Sequence, residues 1–124
     1  MAKVFLDANY FIGLANRTPE TEVDILDSHK GYITTLSCHI LCYVNRVKLP
    51  DKNIQAFSEE FLIVNLTDAI VQKAFDGPTT DMEDNIQLHS AAEAECDYFL
   101  TSDKKLLSMK FFGKMRIVST LEKD

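Results

Sequence analysis

Tryptophan is absent, and glycine, proline and cysteine are scarce at four, three and three residues. So little glycine and proline excludes a collagen-like or low-complexity chain. No apolar run reaches the length of about eighteen residues that a membrane-spanning helix requires. The three cysteines, Cys38, Cys42 and Cys96, are odd in number and have neither CxxC nor zinc-ligand spacing. A disulfide framework and a zinc ribbon are therefore both disfavoured, and reduced, mostly buried thiols are expected. A basic balance is missing too. The formal net charge of −6 argues against a domain whose main task is to coat phosphate backbones. Lys104, Lys105, Lys110, Lys114 and Arg116 form the most basic stretch, five basic residues in thirteen positions with no acid between them. It reads equally as a local nucleic-acid contact or as a solvated helix face.

What is present is globular. The 124 residues are 46% hydrophobic and 26% charged, enough for one core and too few for two ordinary domains, so residues 1–124 read as a single domain. The N-terminal stretch MAKVFLDANYFIGLA is interrupted by Asp7 and followed by no small-residue cleavage site, which argues against a secretory signal. A cytoplasmic protein with no membrane association is the expectation.

Strand-like and helix-like pieces alternate along the whole chain. Strands are expected at Lys3 to Leu6, Tyr32 to Thr34, Phe61 to Leu66, Tyr98 to Thr101 and Arg116 to Ser119. Helices are expected at Asn9 to Asn16, Pro19 to His29 (ended by Gly31), Leu36 to Val47, Asp51 to Glu60, Thr67 to Phe75, from Thr80, and Asp103 to Met109. Thr80-Asp81-Met82-Glu83 has the form of a capping box, with Thr80 as N-cap and Glu83 bonding back to it. Asp81, Asp84, Leu88 and Ala91 then recur at steps of three or four, so the small-residue stripe packs on the sheet and its first turn aims two carboxylates at the sheet's edge. Such alternation predicts a three-layer α/β/α fold around a parallel five-stranded sheet.

Three aspartates stand where strands hand over to helices or at a helix start: Asp7, Asp84 and Asp103. Open α/β sheets bind ligands beyond the carboxyl ends of their strands, where Asp7 and Asp103 would lie. Gathered carboxylates suppress each other's ionisation, and a hard, oxygen-preferring cation such as Mg²⁺ or Mn²⁺ relieves that repulsion. Taken singly, Asp7 and Asp103 read more simply as helix caps and Asp81 as a favourable first-turn charge. Asp84 falls on the inward face, where an unpaired carboxylate is costly. Cys38, His39 and Cys42 lie together, but three ligands on one helix cannot close a tetrahedron. His89 reads as an exposed or satisfied histidine.

The segments VFLDANYFI, YITTLSCHILCYV and DMEDNIQLHSAAEAECDYFLTSDKKLL resemble the PIN domain, and in particular the toxin ribonucleases of VapC-type toxin-antitoxin pairs. The resemblance spans nearly the whole chain. It implies RNA cleavage with four acids around Mg²⁺ or Mn²⁺, and it matches Asp7 to the first acid, Asp84 to the third and Asp103 to the fourth. Asp84 and Asp103 lie nineteen positions apart, a fairly specific spacing. Asn9 and Thr101 or Ser102 match supporting polar positions. The second acid is missing: Ile40 occupies its place, and no Asp or Glu occurs from Ser28 to Pro50. His39 points about 100° away on a helix. Asp81, one turn from Asp84, is the replacement considered. The resemblance also implies a small antitoxin partner and a homodimer, with Phe57, Phe111 and Phe112 as apolar contacts or as core. Two rivals stand beside the nuclease. One is a degenerate PIN domain that binds RNA or protein without cutting. The other, a phosphatase using Asp7 as nucleophile, is weakened because Asn9 stands where a D-x-D motif needs its second acid.

Overall fold

Alternation in the first strand sets the layers, because successive strand residues point to opposite faces of a sheet. In β1 (Lys3–Leu6), Val4 and Leu6 enter one core and Phe5 the other. The computed structural model describes residues 1–17 and 25–121. After β1 come α1 (Ala8–Ala15), α2 (Ile25–Ser28), β2 (Lys30–Thr34), α3 (Thr35–Val44), α4 (Lys52–Glu59) and β3 (Leu62–Val64). Then follow α5 (Asp68–Phe75), α6 (Met82–Glu93), β4 (Tyr98–Leu100), α7 (Lys104–Met109), β5 (Phe111–Phe112) and β6 (Met115–Val118). Of the helix expected from Pro19 to His29, residues 18–24 lie outside the described residues and Ile25–Ser28 is helical.

The strands run in the order β3-β2-β1-β4-β6-β5. Every neighbouring pair is parallel except β5 with β6, so the expected five parallel strands carry a sixth, two-residue strand at one edge. The chain builds outward from β1 to β3 and then returns to β1's other side with β4. That reversal falls between β1 and β4, and the crevice outside the carboxyl ends of such a strand pair is where open α/β sheets bind ligands.

Two cores cover the two faces. On one, Leu6, Phe11, Ile33, Leu41, Phe61 and Leu100 are buried, with half-buried Ile40 and Phe57 against them. Phe57 stacks on Phe11 and meets Phe61 edge-on, with centroids 5.1 and 5.3 Å apart, so it belongs to the core. On the other face, Leu88 and Ala91 of α6 pack with Phe5, Phe99, Leu106 and Ile117, where the small-residue stripe was expected. A third cluster joins Ile86 to Ile70 and Ala74 of α5. With sheet on one side and α5 on the other, α6 is buried from Asn85 to Leu88 and again at Ser90 and Ala91.

Gly31 does not end a helix; it lies within β2. A Cβ there would come within 2.5 Å of Leu26 Cδ2 and 2.9 Å of the Phe61 ring, so the absent side chain lets α2 and the ring close on the strand. Gly31→Ala is expected to lower stability by about 1–3 kcal/mol, as overpacking does. Denaturant unfolding checks this, and an unchanged midpoint would show that the contact yields freely.

Candidate metal centre

Asp7 follows β1 directly and is the N-cap residue of α1, yet its carboxylate makes no capping bond to that helix. It is 3% exposed. Its Oδ2 accepts a 2.6 Å hydrogen bond from the Thr101 hydroxyl at the end of β4. Thr101 is also fully buried, and its Oγ1 accepts the Asp103 amide at 3.0 Å. One hydroxyl thus ties Asp7 to the backbone that starts α7. Burial pushes the Asp7 carboxyl up; the Thr101 hydroxyl opposes this, the Asp103 charge adds to it, and the Ala8 amide and Gln87 side chain oppose it more weakly.

Asp103 does cap its helix: Oδ1 accepts the amides of Lys105 at 2.8 Å and Leu106 at 3.4 Å. Both bonds fall on one oxygen. At α6 the expected capping box is not the one that forms. The N-cap is Asp81, not Thr80, and its Oδ1 accepts the Asp84 amide at 2.9 Å. Asn85 fixes this register: its Oδ1 takes the Thr79 amide and hydroxyl at 2.9 and 2.6 Å, while its Nδ2 donates to the Ala74 carbonyl at 2.9 Å. Glu83 is thereby released from the capping role expected of it. It stands exposed on the first turn, where burial and the charges of Asp81 and Asp7 raise its carboxyl.

Asp84, half-buried, feels the whole group. Its pKa is pushed up to about 6, first by burial, then by Asp81, Asp7, Asp103 and Glu83. Five acids from three segments are therefore close enough to act on one another. No lysine or arginine is among the groups that shift Asp7 or Asp84. The Asp84 carboxyl holds its proton more tightly folded than unfolded, so the metal-free protein should lose stability as pH rises from about 4 to about 6. A cation needs the carboxylate, so Mn²⁺ affinity is expected to climb through about pH 6 and level off above about pH 7. Calorimetry at stepped pH would read this, and a flat profile would exclude Asp84 from the site.

Among the described residues, no three His, Cys, Asp or Glu side chains already converge as a metal cage. The donor set nevertheless suits a hard divalent cation: all oxygen, mutually repelling and partly desolvated. Ligation would draw the carboxylates together from their present positions.

The other sequence candidates are placed as follows. Asn9 is exposed on the first turn of α1, and Ser102 is exposed beside Thr101, so Thr101 alone makes the supporting bond to Asp7. Ile40 packs against the core that contains Leu6, and His39 is exposed. His89 is satisfied, with Nε2 2.9 Å from the Gly77 carbonyl and its ring edge-on to Phe112. Gln87 was missed. Its Oε1 accepts the Ala8 amide at 2.6 Å, and the signal in sequence was a polar side chain one turn after Asp84 on a packed helix.

A chain in the crystal structure of VapBC2 from Rickettsia felis bound to a DNA fragment from its promoter is similar in fold to this chain. The TM-score is 0.66 at 11% sequence identity, over 94% of this chain and 97% of that one. No family model matches the chain, and no curated protein matches it by sequence. Among the described residues, no helix is long and apolar enough to cross a membrane.

Proposed function

We propose that this chain is a Mg²⁺- or Mn²⁺-dependent ribonuclease of the PIN type, the toxin-like member of a toxin-antitoxin pair. The observation that supports the reading is that Asp7, Asp84 and Asp103 lie near enough, beyond β1 and β4, for their charges to oppose one another, although they do not converge as a cage. The likeness in fold to a chain of VapBC2 supports it. Asp7, Asp84 and Asp103 would hold the cation, with Asp81 and Glu83 as nearby acids. The cation would supply an activated water and neutralise charge on the phosphate. The chain's own part is placement. Thr101 keeps Asp7 turned into the crevice, and burial keeps that carboxylate away from bulk water. Lys104 and Lys105, exposed on the first turn of α7, follow Asp103 directly and give an acidic protein a local hold on an RNA backbone.

A small antitoxin is the partner this reading implies. A groove of about 520 Å³ lined by Leu14, Leu26, Ile54, Phe57 and Phe61, with Arg17, Asn53 and Glu60 as its polar members, offers a seat for an amphipathic helix. Tyr43, Phe75 and Phe111, at 78%, 71% and 53% exposure, are apolar surface available to such a partner or to a second copy in a homodimer.

The test is Mn²⁺ calorimetry on wild type and Asp84→Asn, with RNA cleavage followed in the same samples. Saturable binding and cleavage, both lost in the variant, support the nuclease; cleavage that persists in Asp84→Asn would remove it. Ile40, apolar where an acid was expected, favours the second reading, a binding module that does not cut. Ile40→Glu is expected to weaken the metal-free fold by about 1–3 kcal/mol, since it buries a carboxylate. It should also raise Mn²⁺ affinity about tenfold by adding an anionic ligand. An intact fold with unchanged affinity would place the site away from α3.

A further inference from the structure

We infer that Gln87 is a positioning residue: by holding the Ala8 amide it fixes the peptide that follows Asp7 and leaves the Asp7 carboxylate on Thr101 and free for the crevice. The inference rests on the metal-site reading only for its functional consequence. Aspartate at an N-cap ordinarily turns its carboxylate onto the amides of its own helix. Asp103 and Asp81 both do so. Asp7 occupies the same position at α1 and does not. Its carboxylate lies instead against Thr101, on a different strand.

The first amide of α1 still requires an acceptor, because Ala8 is fully buried and water cannot supply one. Gln87 provides it. Its side chain, 1% exposed, reaches from α6 and accepts the Ala8 N–H at 2.6 Å through Oε1. The other end of the same amide, Nε2, is buried, makes no full hydrogen bond among the described residues, and lies near enough to Asp7 to stabilise its carboxylate weakly. Gln87 therefore grips the peptide next to Asp7 through Oε1 and stands beside the carboxylate itself through Nε2. Gln87 also stands one turn beyond Asp84, so a single helix face carries a site acid and the group that frees another.

The test is the crystal structure of metal-free Gln87→Met, with Mn²⁺ calorimetry on the same protein and on wild type. With the Gln87 acceptor gone, the Ala8 amide is left with the Asp7 carboxylate, which it already stabilises weakly. The carboxylate is expected to leave Thr101 and turn onto α1, and the Mn²⁺ dissociation constant to rise about 10–100-fold, as loss of a supporting partner does. Gln87→Asn, polar but a methylene too short to reach Ala8, should give the same result and serves if the Met variant does not fold. A folded variant with Asp7 still on Thr101 and Mn²⁺ affinity within about twofold of wild type would overturn the inference. If wild type takes up no Mn²⁺ while Asp7 turns in the variant, the metal reading fails and the cap exchange stands.

Discussion

Asp7→Asn is expected to abolish Mn²⁺ binding and RNA cleavage while making the metal-free protein more stable. The two effects share one cause. The Asp7 carboxylate is buried, and its charged form is opposed by burial and by Asp103. Asparagine keeps an oxygen for the Thr101 hydroxyl and discards the charge. An apparent gain of about 1 kcal/mol, roughly 3–6 °C in melting temperature for a chain of this size, is the expected scale. Metal affinity should fall at least about 100-fold, since a ligand is lost outright where loss of a mere supporting group already removes 10–100-fold. Function that opposes stability at one residue marks a site kept for chemistry. A variant that melts lower and binds Mn²⁺ as wild type does would make Asp7 a structural group.

Thr101→Val carries the second large effect, of opposite sign in stability. Valine has nearly the same shape but lacks the hydroxyl that donates to Asp7 at 2.6 Å and accepts from the Asp103 amide at 3.0 Å. A hydrogen bond to a charged group contributes about 1.5–3 kcal/mol, and removing it here also strands a partly buried amide. Stability is expected to fall by about that amount, and Mn²⁺ affinity about 10–100-fold. Thr101→Ser, which restores the hydroxyl, should recover most of both. Wild-type metal affinity in the valine variant would mean that Asp7 needs no help in holding its orientation.

How far the chain can be read without its structure differs from residue to residue. Alternating strand and helix patterns placed twelve of the thirteen elements wholly or in part, because periodicity is a local property. The exception, β5, has two residues and no periodicity to read. Strand–Asp–helix junctions located Asp7 and Asp103 at the sheet's carboxyl edge for the same local reason. What was not legible is which of them caps its helix. Asp103 does and Asp7 does not, because the Asp7 carboxylate is held instead by the hydroxyl of Thr101 from another part of the sheet. The start of α6 moved from Thr80 to Asp81 because both are good caps, and the choice fell to Asn85 bonding Thr79 and Ala74. Glu83 was given to a capping box that this shift dissolved. In each case a tertiary hydrogen bond decided between two local solutions of similar energy.

The strand order has a consequence in time. Asp7 and the hydroxyl that orients it are ninety-four positions apart, and they become neighbours only when β4 slots in beside β1. A chain emerging from its N-terminus therefore presents the first acid long before the groups that complete the centre. It can bury Leu6 and Phe11 against Ile33, Leu41 and Phe61 early, but the Asp7 carboxylate must wait for its orienting hydroxyl. The candidate centre can form only once the chain has been made as far as Asp103.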